Sequence, residues 1–198
     1  MSKYPLIIFE GIEGTGKTTQ INNLTNFLNK NKYKYVKIRE PGGTKNSEKI
    51  RKLILNKKST LNKITDLFLY LASRSENLEK IIAKNYGKKI ILIDRFIYST
   101  LAYQHYGMNI NKKLINYLNN FLVGRFKPNY IFLLTVDKKT LIKRLSKRKN
   151  KNKYDRLKIN FYMKVQNGYL KLLKNKKNLF LINSCETLKD NKETIINK

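Results

Sequence analysis

Residues Gly11-Ile12-Glu13-Gly14-Thr15-Gly16-Lys17-Thr18 follow the pattern G-x-x-x-x-G-K-[ST], and no other stretch constrains the fold as tightly. The glycines let the backbone curl until successive N–H groups point inward at one anion, and the N-terminus of a following helix adds its positive end. In such a loop Lys17 reaches the β- and γ-phosphates of a nucleotide, and the hydroxyl of Thr18 ligates Mg²⁺. An eight-residue pattern also arises by chance, so its surroundings decide. The apolar run Leu6–Phe9 lies just before it, and Thr19–Lys30 has helical spacing just after it. Strand, loop and helix therefore stand in the required order. A Gly-rich turn in a basic protein leaves Lys17-Thr18 at this spacing unexplained.

The rest of the chain supplies a sheet to carry the loop. Four short apolar runs, Leu6–Phe9, Ile90–Ile93, Ile131–Val136 and Leu179–Ile182, and a weaker fifth, Tyr35–Ile38, are bounded by polar or turn residues. Between them lie stretches with helical spacing, such as Leu24, Phe27 and Leu28, or Ile64, Leu67, Phe68 and Leu71. Strands apolar on both faces and separated by helices predict a five-stranded parallel sheet covered on both sides, a three-layer α/β/α fold. The 198 residues suit one domain, 1–198, and no Pro/Gly/Ser-rich linker or internal repeat divides them.

Forty-three Lys and Arg against 13 Asp and Glu give a net charge of +30. Such a surplus suits either a polyanionic partner or compositional drift at tolerant surface positions. The excess is mostly Lys and runs with Asn and Ile through the whole chain instead of forming one patch, which favours drift. A hydrophobic fraction of 41% and an aromatic fraction of 11% exclude a disordered basic tail. The strongest local anomaly is Ser146–Arg156, polar throughout except for Tyr154 and read as a solvated basic loop. The one cysteine, Cys185, has no partner for an internal disulfide and follows an apolar run, where it is expected to be buried or half-buried. No secretory signal pattern opens the sequence, and no run approaches the ~20 apolar residues of a membrane span. The expectation is a cytoplasmic protein with no membrane partner.

Two further elements lie where strands end. Ile90-Ile91-Leu92-Ile93 runs straight into Asp94-Arg95. Beside a phosphate-binding loop, an acid in that place faces a metal or its waters. Read alone, Asp94 is equally an N-cap for the next helix. Arg39-Glu40-Pro41-Gly42-Gly43-Thr44 closes the second strand. Pro41 holds Glu40 extended and the glycines admit close approach to the backbone, although a sharp turn alone accounts for the same residues.

In combination these residues resemble one family. Phe9-Glu10-Gly11 through Thr19, Arg39 through Thr44, Leu71-Ala72-Ser73-Arg74, and Asp94-Arg95-Phe96 followed by Ser99-Thr100-Leu101-Ala102-Tyr103-Gln104 are similar to bacterial thymidylate kinases over nearly the whole chain. The resemblance implies phosphoryl transfer from Mg·ATP to the 5′-phosphate of dTMP, giving ADP and dTDP. It implies that Gly11, Ile12, Glu13, Gly14, Thr15, Gly16, Lys17 and Thr18 bind ATP, with Thr18 and Asp94 at the Mg²⁺. Glu13 resembles the family's acid near the sugar 3′-hydroxyl, Arg95 and Arg51 the arginines on the acceptor's 5′-phosphate, and Glu40-Pro41 the turn lining its pocket. Arg74, Thr100 and Gln104 resemble the group that reads the pyrimidine edge. Tyr70 stands where the family places a Phe stacked on thymine, a role that its aromatic face preserves. Tyr103 resembles the ring under the deoxyribose that excludes a 2′-hydroxyl; ordinary core packing accounts for it equally.

The family carries an arginine for the transferring phosphoryl group either in the phosphate loop or in a mobile lid. Here the variable loop positions, Ile12, Glu13, Gly14 and Thr15, include no basic residue. The resemblance therefore implies the lid version, at about 146–157, with Arg148 as leading candidate and Arg144 and Arg156 at its edges. Arginine suits the task better than the surrounding lysines because its planar fork holds two phosphate oxygens at once. The Glu that the family carries two residues after Asp155-Arg156 is replaced here, where Leu157-Lys158 follow. Catalysis so composed rests on Lys17, Glu13, Arg95 and Arg148. His105, the only histidine, is given no role, since phosphoryl transfer of this type needs none. The resemblance also implies a homodimer, for which the apolar faces around Leu67–Leu71 and Leu114–Leu122 are available, although both suit core helices equally. One alternative is a kinase for another nucleoside or nucleotide, decided by Tyr70, Arg74, Thr100 and Gln104. The other is a basic nucleic-acid-binding protein with a vestigial loop. Against it, the sequence holds no recognition-helix, zinc or RNA-stacking motif, so no nucleic-acid partner is expected.

Overall fold

The chain alternates strand and helix from its first turn. β1 (Leu6–Glu10) leads into α1 (Lys17–Lys30), and β2 (Tyr35–Arg39) into α2 (Lys45–Leu55) and α3 (Lys63–Asn77), which runs on through a π-helical turn (Leu78–Ile82) into α4 (Ala83–Asn85). β3 (Ile90–Asp94) is followed by α5 (Ile97–Thr100), a second π-helical segment (Leu101–Gly107) and α6 (Lys112–Val123). Then come β4 (Tyr130–Thr135), α7 (Lys138–Ser146), α8 (Ile159–Leu173), β5 (Leu179–Asn183) and α9 (Leu188–Ile196). The computed structural model describes residues 3–148, 153–154 and 157–198.

The strands form one parallel sheet in the order β2-β3-β1-β4-β5, the five-stranded α/β/α arrangement that the apolar runs predict. Strand alternation sorts the side chains onto two faces. Leu6 and Ile8, Ile91 and Ile93, and Ile131 and Leu133 face a core completed by Tyr162, Val165, Tyr169 and Leu173 of α8. Ile7 and Phe9, Ile90 and Leu92, and Phe132 and Leu134 face Ile21, Leu24 and Leu28 of α1 and Ile195 of α9. Both faces are covered, so the three central strands carry no polar alternation; each fully buried side chain of this kind stabilises the fold by ~1.5–3 kcal/mol. A third cluster, Leu67 and Leu71 with Leu101, Ile110 and Ile115, ties α3 to α6.

The edges behave differently from the centre. β5 has one neighbour, and Leu181 in its apolar run is 56% exposed. Cys185 is exposed, contrary to the burial expected of a residue after that run. β5 ends at Asn183, and two residues later the chain has left the sheet, with Cys185 Sγ 2.8 Å from Asp137 Oδ2. Among the described residues no helix is long and apolar enough to cross a membrane.

Parallel pairing collects the C-terminal ends of all strands at one edge. Asp94 is in register with Phe9 on one side and Arg39 on the other. The loop after β1, the turn at Glu40 and the pair Asp94-Arg95 therefore lie side by side, in the crevice where open parallel sheets bind ligands.

Candidate active site

A cavity of about 450 Å³ opens at that edge. One of its sides is the loop from Gly11 to Thr18. Gly11 has φ 137°, and a Cβ there would stand 2.4 Å from the Leu134 carbonyl oxygen, so only glycine lets the loop leave β1. Gly14, Gly16, Lys17 and Thr18 line the cavity together with Glu13. Ile12 and Thr15 build the loop from behind: Ile12 is fully buried, and Thr15 Oγ1 donates to its carbonyl at 2.9 Å. The Lys17 ammonium donates to the carbonyls of Gly11 and Ile12, each at 2.8 Å. Burial, and after it the charge of Arg95, lowers its pKa to about 8. Arg144 Nη1 donates to Gly14 O at 2.9 Å and Nη2 to Ser184 O at 2.6 Å, while Ser184 Oγ donates to Thr15 O at 2.7 Å. Arg144, at the cavity wall, thus also braces the loop against the chain after β5.

Arg95 stands at the centre. Its φ of 68° lies in the left-handed region that disfavours side chains, and strain of this kind concentrates at functional sites. From there Nη1 donates to Gly11 O at 2.8 Å, and Nη2 lies 2.9 Å from Glu13 Oε1. The guanidinium sits over the Tyr103 ring at 5.1 Å, and the Tyr103 hydroxyl donates to Glu13 Oε2. Burial pushes the Glu13 carboxyl up, but the charges of Arg95 and Lys17 outweigh it and hold its pKa below the ordinary value.

Asp94 is not a helix cap, since α5 has Phe96 at its N-cap and no side-chain capping bond. It lines the cavity, and its Oδ1 is buried with no hydrogen-bond partner. That orphaned oxygen and the hydroxyl of Thr18, a residue lining the same cavity, would make an oxygen-only donor set, the kind that suits Mg²⁺.

The far side of the cavity is built around Arg74, which is 1% exposed. Its Nε donates to Glu40 Oε2 at 2.8 Å, and Nη2 closes an ion pair with the same oxygen at 2.7 Å. Nη1 donates to Thr100 Oγ1 at 2.9 Å and to Asn119 Oδ1 at 2.7 Å, and the guanidinium lies 5.3 Å from the centre of the Phe96 ring. Burial raises the pKa of Glu40 against the opposing charge of Arg74. Glu40 and Pro41 share a cis peptide bond, and Arg51 Nη1 donates to Pro41 O at 2.6 Å. Tyr70 and Gln104 complete this wall with Thr100 and Tyr103; Tyr103 and Gln104 lie in the second π-helical segment, an irregularity frequent at functional sites.

Every described residue given a binding or catalytic role in the sequence, except Gly11, Ile12 and Thr15, therefore lines one cavity, and those three form the loop's inner side. Arg148 lines the cavity and is exposed. Arg156 lies outside the described residues. Arg39 does not line it and pairs with Glu48 at 3.2 Å on the surface. His105 is half-buried, with Nδ1 2.9 Å from Ile110 O.

Several supporting residues were given no role in the sequence. Glu10, fully buried at the end of β1, accepts from the amide of Phe96 at 3.0 Å and from Ser99 Oγ at 2.5 Å; Ser99 Oγ also lies 2.6 Å from the Tyr169 hydroxyl. Burial raises the pKa of Glu10. An acid closing an apolar strand was a visible signal; Tyr169, in α8, left none. Asn77 Nδ2 donates to Gly42 O at 2.7 Å and its Oδ1 accepts from the amide of Thr44 at 3.3 Å. A Cβ on Gly43, φ 116°, would come within 2.5 Å of Asn77 Oδ1, so this glycine is what lets the turn close on α3.

Comparison with known proteins gives one family. A family model described as thymidylate kinase matches residues 9–195. Thymidylate kinase from a Sulfurihydrogenibium species is 39% identical over 178 residues, 89% of this chain and 86% of that protein. Thymidylate kinase from Thermosipho africanus is 38% identical over 183 residues, 92% and 90% of the two chains. The crystal structure of thymidylate kinase from Ehrlichia chaffeensis superposes with a TM-score of 0.79 at 32% identity, covering 98% of this chain and 97% of the other.

Proposed function

The chain belongs to the thymidylate kinase family, and we propose that its cavity divides the family's reaction between an ATP side at Lys17 and an acceptor side at Arg74. The enzyme phosphorylates dTMP to dTDP and uses ATP with Mg²⁺. The observation that carries the division is Arg74. Its fork is locked by Glu40, Thr100 and Asn119 in the same cavity as Lys17, and a rigid donor of this kind matches the carbonyl edge of a pyrimidine.

In this reading Tyr70 stacks on the base, Gln104 and Thr100 complete the reading of its edge, and Tyr103 packs under the deoxyribose. Glu13 faces the sugar, and Arg95 with Arg51 takes the 5′-phosphate. The loop amides and Lys17 hold the β- and γ-phosphates. Thr18 and Asp94 would hold the Mg²⁺, which when bound offsets phosphate charge. The segment at about 146–157 acts as a lid; Lys147, Arg148 and Tyr154 on the cavity wall support this. Arg148 neutralises the transferring group, and Arg144 holds the loop to which ATP binds. Rate enhancement then comes from holding two polyanions in line and neutralising their charge, with no covalent enzyme intermediate. Covering the cavity keeps water from accepting the phosphoryl group.

In this reading the single domain works as a homodimer in the cytoplasm. α3 and α6 pack together and leave Ile64, Phe68, Leu114, Tyr117 and Phe121 exposed, an apolar surface suited to a second copy.

ADP release with a panel of nucleoside monophosphates tests the acceptor assignment. The expected result is a preference for dTMP of about 10²-fold or more, lost in Arg74→Ala. Equal rates for all monophosphates, or an unchanged preference in the variant, would contradict it.

A further inference from the structure

Tyr154 is the one ring in the basic run Ser146–Arg156, and it is 3% exposed, not solvated as the charge pattern predicts. Its centroid is 6.3 Å from that of Tyr70 and 6.0 Å from that of Tyr103, both in edge-on geometry with interplanar angles of 69° and 79°. These are the two rings assigned to base and sugar, and Tyr154 lines the cavity with them.

Two hydrogen bonds hold Tyr154 itself, one of them to the Asp66 carboxylate, and a third ties its neighbour Lys153 to the same carboxylate. The Tyr162 hydroxyl donates to the Tyr154 carbonyl. The Tyr154 hydroxyl lies 3.4 Å from Asp66 Oδ2, and Lys153 Nζ reaches the same oxygen at 2.8 Å. Asp66 sits in the first turn of α3, four residues before Tyr70 and eight before Arg74, so one face of this helix carries the carboxylate, the stacking ring and the guanidinium. Asp66 is 2% exposed as a side chain, and its Oδ1 has no hydrogen-bond partner. A half-satisfied buried carboxylate is a poor device for stability, whereas one that fixes an arrangement has a reason to be there.

We infer that Tyr154 is a specificity-determining residue of the acceptor pocket, the third wall of an aromatic box with Tyr70 and Tyr103, and that Asp66 is a positioning residue that holds it there through Lys153 and the Tyr154 hydroxyl. This rests on the reading that the Arg74 side of the cavity takes dTMP. Edge-on contact restricts how far the two other rings can tilt, so Tyr154 acts both on the nucleotide and on the rings that grip it.

Calorimetric titration of dTMP in the absence of ATP, with ADP titrated separately, tests this in Tyr154→Ala, Tyr154→Phe, Asp66→Asn, Lys153→Ala and Arg74→Ala. Loss of a base-facing ring is expected to weaken dTMP by about 5- to 50-fold in Tyr154→Ala, with ADP affinity unchanged and Phe restoring dTMP to within about threefold. Asp66→Asn and Lys153→Ala keep the ring but loosen it, and are expected to weaken dTMP by a few-fold, again without effect on ADP. A protein that only loses an anchored loop would show no selective loss of dTMP and no rescue by Phe. Wild-type dTMP affinity in Tyr154→Ala, with loss in Arg74→Ala, overturns the inference and leaves the acceptor site standing. Wild-type affinity in both overturns the acceptor site itself. If Tyr154→Ala fails to fold, Lys153→Ala decides, its side chain being 24% exposed: selective loss of dTMP supports the inference and an unchanged affinity overturns it.

Discussion

Arg95 and Glu13, 82 residues apart in the chain, are joined by an ion pair of 2.9 Å in which the side chains are 18% and 13% exposed. Without the carboxylate, Arg95 keeps Gly11 O as a partner but loses the counter-charge that fixes its direction, which in the proposed assignment is toward the acceptor phosphate. Glu13→Gln should lower kcat/KM for dTMP by about 10- to 100-fold, the range for a charge-assisted hydrogen bond, with KM for ATP unchanged. Steady-state kinetics with each substrate varied in turn would show it; a dTMP profile within about twofold of wild type would count against the pairing's role.

Lys17 carries a pH signature. Its pKa is lowered to about 8, first by burial and then by the charge of Arg95, so the free enzyme loses this cation as pH rises through that value. Bound phosphates favour the ammonium form and raise the pKa again. Accordingly kcat/KM for ATP should fall above about pH 8, approaching tenfold per pH unit, while kcat at saturating ATP stays level. A flat kcat/KM profile up to about pH 9.5 would argue that Lys17 stays charged in the free enzyme.

Glu40 and Arg74 test the scaffold. Their ion pair of 2.7 Å has side chains only 3% and 2% exposed. Glu40→Ala leaves the guanidinium buried without its counter-charge and should destabilise the protein by about 3–5 kcal/mol in urea unfolding. Breaking the surface pair of Lys80 and Glu76, where the lysine is 49% exposed, should leave the midpoint unmoved. Equal shifts from the two substitutions would contradict the burial argument.

The exposed faces of α3 and α6 make a prediction about assembly. Phe121 is 76% exposed, Tyr117 69% and Phe68 52%. Sedimentation equilibrium should give wild-type protein twice the 23.4 kDa chain mass, and Phe121→Glu should shift it toward the single chain. A wild-type mass of one chain would remove the case for this interface.

How much of this was legible in the sequence depends on whether the chemistry is local. The phosphate loop is contiguous, and the periods of its flanking strand and helix confirm it, so Gly11 to Thr18 read directly. Arg74 was legible only through family resemblance, and its partner Asn119, 45 residues away on α6, left no local signal. The acceptor side is assembled by the sheet register and by helix packing, which no short pattern encodes. Charge patterning misled at Tyr154: a run of lysines reads as solvent-facing, and the carboxylate that holds the ring, Asp66, is 88 residues distant. Cys185 misled for a related reason. An apolar run predicts burial of the next few residues only when the strand continues through them, and β5 stops at Asn183.

The central claim is that this cavity performs the transfer, with Lys17 holding the donated phosphate. The most direct test is the initial rate of dTDP formation from dTMP and Mg·ATP by wild-type and Lys17→Ala protein of matching far-UV circular dichroism. The expected result is a fall on the order of 10³-fold in the variant with the fold unchanged. A folded Lys17→Ala protein that still forms dTDP at the wild-type rate would contradict the account.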